Sequence, residues 1–174
     1  MNIIGEKIKL RAIELVDKEL LVDIINDGEI EHLLGGWAFP VSELAQEEWI
    51  NALKENIHTL RCMAIDKEEN KAIGTVILSD IDYKNGTAEI HIKLGANSHG
   101  KGYGTDIMKT VVKYAFQELR LHCIFGKINE YNVASQKMFE RSGFNKEGIM
   151  RERIFKSGSY HSVLSYSILN TREV

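Results

Sequence analysis

Proline is almost absent, with Pro40 the only one in 174 residues, so no Pro-rich linker divides the chain. Cysteine is nearly as scarce. Cys62 and Cys123 each fall in an apolar run, and neither belongs to a Cys-x-x-Cys or Cys/His spacing, so no zinc or other metal site is expected. Both read as buried free thiols of a cytosolic protein. There is no apolar run of the roughly 18 residues that a membrane-spanning helix needs. The first ten residues alternate apolar and charged side chains, which argues against a signal peptide. Charge of one sign is lacking too. The formal net charge is −3, so neither nucleic acid nor an anionic membrane is expected as a partner. What is present is ordinary: 44% hydrophobic residues over a length suited to a single cytoplasmic domain spanning residues 1–174.

Periodicity divides the chain into alternating elements. Residues 7–12 read as a strand with Ile8, Leu10 and Ala12 on one face. Asp17 looks like a helix N-cap ahead of Leu20, Leu21, Ile24 and Ile25. Gly35-Gly36 opens a loop carrying Trp37, Phe39 and Pro40, and Ser42 starts a second helix whose apolar face uses Leu44, Trp49, Ile50 and Leu53. The period then switches to strands at 60–65, 72–78 and 87–94, the last two joined through an Asn85-Gly86 turn. An amphipathic helix follows over 105–119, with Ile107, Met108, Val111, Val112, Ala115 and Phe116 inward. A strand at 123–128, a helix at 132–141 ended by Gly143, and strands at 145–155 and 160–169 complete the chain. This order predicts an α/β fold with a mixed sheet.

The most informative segment is His99-Gly100-Lys101-Gly102-Tyr103-Gly104-Thr105. Three alternating glycines stand just before a helix. Without Cβ atoms the backbone can aim several N–H groups at one point, and the helix N-terminus adds unpaired donors and a positive dipole end. Such a nest suits a diphosphate, with Lys101 as a nearby charge. The G-x-x-x-x-G-K-[ST] phosphate loop is absent, and the spacing G-x-G-x-G departs from the dinucleotide pattern G-x-G-x-x-G.

This segment resembles the coenzyme A-binding signature Q/R-x-x-G-x-G/A of the GNAT N-acetyltransferase superfamily, with His99 where Gln or Arg is usual. The stretch from Asn129 to Phe144 is similar to the later family motif, N-x-x-[AS]…G-F. The closing strand, Arg11, and the segment from Trp37 to Trp49 resemble the ribosomal-protein-alanine acetyltransferase-like branch, which often has Asp where Ser162 lies. The resemblance implies a GNAT-like fold: a mixed, mostly antiparallel central sheet, splayed open at the cofactor site, with helices on both faces. It implies transfer of an acetyl group from acetyl-CoA to a primary amine by direct attack. A protein N-terminus, a polyamine, an amino sugar or an aminoglycoside would serve as acceptor, and a homodimer is left open. The alternative is a non-catalytic module that senses acyl-CoA or an amine.

Carried onto this sequence, the resemblance puts the pantetheine arm of the cofactor on backbone groups near Ile92, Lys93 and Leu94, and its phosphates on residues 99–105 (His99, Gly100, Lys101, Gly102, Tyr103, Gly104, Thr105). Asn132 would cap its helix and also bond the arm. An alkyl ammonium has no lone pair and a pKa near 10, so a base is useful. Glu89 is the first candidate, with His91 on the same face by strand alternation; each also reads as an ordinary strand residue. Many relatives place a tyrosine where Phe139 stands, to protonate the leaving thiolate. Here Ser135 could bond the sulfur instead, against the reading of a helix-surface serine, and Tyr131 is a weaker substitute. Trp37, Phe39 and Trp49 could line the acceptor pocket or simply anchor the loop. Nucleophilic chemistry by the neighbours His122 and Cys123 is excluded, because adjacent strand residues point to opposite faces.

Overall fold

The computed structural model describes residues 1–34, 39–54 and 56–171. Its strands are β1 (Ile3–Ile4), β2 (Ile8–Arg11), β3 (Leu60–Asp66), β4 (Lys71–Asp82), β5 (Thr87–Leu94), β6 (Cys123–Asn129), β7 (Asn145–Lys156) and β8 (Ser159–Leu169). Its helices are α1 (Lys18–Asn26), α2 (Gly28–Leu34), α3 (Glu43–Asn51), α4 (Tyr103–Gln117) and α5 (Val133–Arg141). Within the described residues the strands form one sheet in the order β1-β2-β3-β4-β5-β6-β8-β7. Every pairing is antiparallel except β5 with β6. The expected mixed, mostly antiparallel sheet is therefore present. No described helix is long and apolar enough to cross a membrane.

Each face of the sheet has its own apolar layer. On one face Ile107, Met108, Val111 and Ala115 of α4 are fully buried against Leu10, Ala64, Val76, Leu78, Ala88, Ile90 and Ile124. The i, i+1, i+4, i+8 spacing of these helix residues supplies the apolar stripe that burial needs. On the other face a smaller cluster joins Leu21 of α1 and Ile50 of α3 to Met63 and Ile65 of β3. The outer strand β7 is largely exposed.

The N-terminal helices depart from the sequence reading. The segment after Asp17 is two helices, α1 and α2, broken at Asp27, whose backbone is extended. Asp17 precedes α1, but its carboxylate makes no cap bond. Instead it is buried and receives both guanidinium nitrogens of Arg11 at 2.7 Å. That bidentate, charge-assisted pair raises the Arg11 pKa, chiefly through the hydrogen bond itself. Arg11 thus ties β2 to α1. Ser42 does cap α3, accepting from the Ala45 N–H. The predicted apolar face of α3 is only partly right: Ile50 is buried, whereas Leu44 is 68% and Trp49 41% exposed. Buried Gln46 takes part of that face instead. Cys62 is buried as expected, and burial pushes its thiol up to about 11, while Cys123 is only partly buried.

Candidate active site

β5 is the strand around which the site is built. It runs antiparallel to β4 from Glu89 to Leu94, but pairs with β6 only at Thr87, Ala88 and Glu89. On its other edge β6 pairs with β8 along its whole length, Cys123 to Asn129. The sheet therefore splays after Glu89, leaving one edge of β5 open. Just past the strand, Gly95 N–H donates to Ile73 O at 3.0 Å. Bonded and non-bonded pairs alternate along an antiparallel ladder. Lys93 and His91 consequently turn their main-chain groups toward β4, and Ile90, Ile92 and Leu94 turn theirs toward the gap. The Leu94 carbonyl is met there by His99 Nε2 at 3.2 Å. This corrects one expectation: the Lys93 backbone is committed to β4, and Lys93 adjoins the cleft without offering its main chain.

The gap continues into a cleft of about 460 Å³. Ile92, Lys93 and Leu94 form one wall, residues 98–100 and 102–105 the floor, and Asn132, Ala134, Ser135, Lys137, Met138 and Arg141 the wall opposite. Two of the loop glycines are needed for their conformation. Gly100 and Gly102 have φ of +76° and +84°, a region costly for residues with a Cβ. Gly104 serves a different end: a Cβ there would lie 2.6 Å from Met138 Sδ, so glycine lets α4 and α5 close on each other. Among the described residues, none of the six main-chain N–H groups from Gly100 to Thr105 finds an acceptor; the first donor of α4 is Asp106, to Gly102 O. Six unsatisfied donors at the N-terminus of a fifteen-residue helix make a ready anion site. The loop is open, and the chemistry of its donor set fits the diphosphate of coenzyme A.

The loop is also held from below. Asp106 accepts from the N–H groups of Glu6, Lys7 and Ile8 at 3.1, 2.7 and 3.1 Å. Lys7 Nζ donates to Lys101 O. Tyr103 OH donates to Asp66 Oδ2 at 2.7 Å, which lowers the Asp66 pKa and raises that of Tyr103 to about 12. Lys101 keeps its main-chain N–H in the loop but lines a neighbouring cavity with Asp66 and Glu69. The cations that do line the cleft are Lys93, Lys137 and Arg141. The last two were passed over because nothing in a linear reading of α5 says which of its faces meets the loop.

The remaining candidates separate. Ser135 lines the cleft, and its hydroxyl holds no bond among the described residues, while its N–H caps onto Asn132 Oδ1 at 3.0 Å. Asn132 is buried and caps α5 as expected, but its Nδ2 donates to Leu33 O at 3.2 Å. Both ends of its amide are thus engaged within the protein, so its bond to the pantetheine arm is not needed to account for it. Phe139 is core: its ring occupies the space a Cβ on Gly126 would need and packs on Phe144 with centroids 4.8 Å apart. Tyr131 lies outside the cleft and donates to His32 O at 2.8 Å.

Glu89 and His91 sit on the face of β5 away from α4. Glu89 is buried and paired with Lys127 Nζ at 2.9 Å. His91 meets Ser79 Oγ at 3.0 Å; desolvation lowers its pKa, against the raising effect of Glu89. Trp37 lies outside the described residues. Phe39 is 68% exposed.

Comparison with known proteins agrees with this geometry. The family model described as "Acetyltransferase (GNAT) domain" matches residues 7–145. The N-acetyltransferase p20 of Bacillus licheniformis is 31% identical over 166 residues, covering 94% of this chain and 93% of that one. The spermidine N(1)-acetyltransferase of Vibrio cholerae is 25% identical over 170 residues, covering 97% and 96%. The crystal structure of the Vibrio cholerae spermidine N-acetyltransferase in complex with CoA and spermine superposes with a TM-score of 0.86 at 27% identity, covering 94% of this chain and 95% of that one. An open strand edge beside a glycine loop with unspent amides, in a chain matched over nearly all of its length by such enzymes, makes this protein a member of the GNAT acetyltransferase family and an N-acetyltransferase that uses acetyl-CoA.

Proposed function

We propose that the acceptor is a small polycationic amine of the spermidine class. The observation that carries this is the likeness to the Vibrio cholerae spermidine acetyltransferase, which extends over nearly the whole of both chains in sequence and in fold. The terminal segments that resemble the ribosomal-protein-alanine branch favour a protein N-terminus instead. Ser162, where that branch often carries Asp, weakens that second reading.

Acetyl-CoA bound in the cleft would supply an activated acyl group and a thiolate leaving group. The amides of residues 100–105 hold the diphosphate. The open-edge groups of Ile92 and Leu94 take the pantetheine amides, and an N–H on that edge donates to the acyl oxygen as negative charge develops. Ser135 Oγ gives a hydrogen bond at the sulfur. Glu89, held by Lys127, accepts the amine proton through water and attracts the cationic acceptor. Phe139 has no hydroxyl to offer, so the thiolate depends on Ser135 and solvent.

The test is thiol release from acetyl-CoA with spermidine, spermine, an amino sugar and an alanine-starting peptide. Turnover should be fastest on the polyamines. Turnover on the peptide alone would move the acceptor to protein N-termini. Cofactor binding without turnover on any amine would leave a sensing module.

A further inference from the structure

We propose that Phe139 sets the acyl-chain length that the cleft accepts: its ring plugs the point where β5 and β6 part, leaving room for an acetyl group and excluding longer chains. The inference rests on the acetyl-CoA reading and extends it to the acyl end of the cofactor.

The last paired residues of β5 and β6 are Glu89 and Phe125, so Ile90 and Gly126 stand at the apex of the gap. Alternation puts Gly126 on the same face of β6 as the buried Ile124 and Ile128. A Cβ on Gly126 would lie 2.6 Å from both Cε1 and Cζ of Phe139, and 3.4 Å from Ile90 O. The tip of the ring therefore takes the volume that a side chain at 126 would fill. The ring is buried and braced from behind. Phe144 meets it with centroids 4.8 Å apart at 65°, and Tyr166 at 5.8 Å, both within the favoured range for aromatic pairs. Tyr166 OH donates in turn to Glu140 at 3.1 Å, which ties the brace back to α5.

The cleft ends where this plug begins. Ile92, Ala134 and Ser135 line it, whereas Ile90, Gly126 and Phe139 lie beyond its lining. Phe139 follows Ser135 by one turn of α5, the spacing that stacks helix side chains on one face. With the diphosphate on the loop past Leu94, the arm runs back along β5 toward Ile90, about 13 Å away at the rise of a strand. Ser135 at the sulfur places the acyl carbon one bond further on, and each added methylene then meets the ring. Phe139 has no proton to give, so it acts on the acyl group through volume alone. One methylene too many against a packed apolar wall is worth about 10- to 200-fold in selectivity.

Calorimetric titration with acetyl-, propionyl- and butyryl-CoA reads this ceiling without an acceptor amine. Wild type should bind butyryl-CoA about tenfold more weakly than acetyl-CoA, with propionyl-CoA between them. Phe139→Leu removes the ring tip that covers Gly126 and should bring the three affinities within about twofold. Phe144→Leu is the control. It cuts the brace but leaves the ring tip on Gly126, so it should keep the wild-type order even where its melting temperature falls as far. Should Phe139→Leu fail to fold, Phe139→Met fills the site with a chain that can move aside, and the same levelling is expected. Equal binding of the three ligands by wild type would overturn the proposal. So would a folded Phe139 variant that keeps the wild-type order, or a Phe144→Leu protein that loses it to the same degree. Wild type that binds neither coenzyme A nor any of the three removes the acetyl-CoA reading together with the ceiling.

Discussion

The two sides of the splayed sheet are built from different materials. The cofactor side is made of main chain: six unspent N–H groups at the start of α4 and the open edge of β5. Its residues are contiguous, and its glycines are demanded by positive φ or close approach. The region around the end of α2 is instead held by side chains gathered from distant elements. The last carbonyls of α2, His32 O and Leu33 O, receive Tyr131 OH, Asn129 Nδ2 and Asn132 Nδ2 from residues almost a hundred positions away. Lys156 of β7 pairs with Glu31 of the same helix, and the Tyr131 ring lies between His32 and His161, with both centroid distances 4.9 Å. A cofactor cleft can be lined by backbone that is contiguous in sequence, whereas the end of α2 is fixed by tertiary contacts.

Four substitutions would break or sharpen this contrast. The largest effect is expected from Gly102→Val. At φ +84° a β-branched residue costs roughly 1–3 kcal/mol, and its side chain would stand in the anion nest beside Lys7 Nζ. Coenzyme A affinity should fall about a hundredfold by calorimetry; unchanged affinity would refute the backbone cradle. Next is Asp106→Ala, which strips an acceptor from three N–H groups of residues 6–8. A loss of about 2 kcal/mol in denaturant unfolding is expected, with weaker cofactor binding because the start of α4 loses its tether.

Smaller effects belong to the side chains. Ser135→Ala should lower kcat about tenfold while the cofactor Kd stays nearly constant; equal rates would remove Ser135 from the reaction. The smallest is a pH effect. His91 keeps an exposed edge, but desolvation by its neighbours, with Lys127 and Lys93 nearby, lowers its pKa, so on acidification the unfolded chain takes up this proton near pH 6.5, before the folded one. The contribution is therefore present above that value and lost as pH falls through it. His91→Gln should flatten the decline of the melting temperature below about pH 6.5. An identical pH profile would show that His91 does not contribute.

Legibility followed the same division. Thr87–Leu94 was read with its observed limits, because alternation and the Asn85-Gly86 turn are local signals. The starts of α3 at Ser42 and of α5 at Asn132 were visible for the same reason: a cap bonds within three residues. The break between α1 and α2 was missed, as was the capture of Asp17 by Arg11. Lys101 was assigned to the cofactor, but it also lines the neighbouring cavity with Asp66. Glu89 was a free carboxylate on the page and is an ion pair in the fold.

By itself the sequence determined the strand and helix periods, the helix-initiating glycine loop and the missing hydroxyl at Phe139. Each depends on backbone freedom or on residue identity within a few positions. Only the tertiary structure decided which amides stay unspent, which edge of β5 stays open and which cations face the cleft. Those outcomes depend on whether a distant group arrives to pair with them, and pairing across a sheet or between helices has no local signature.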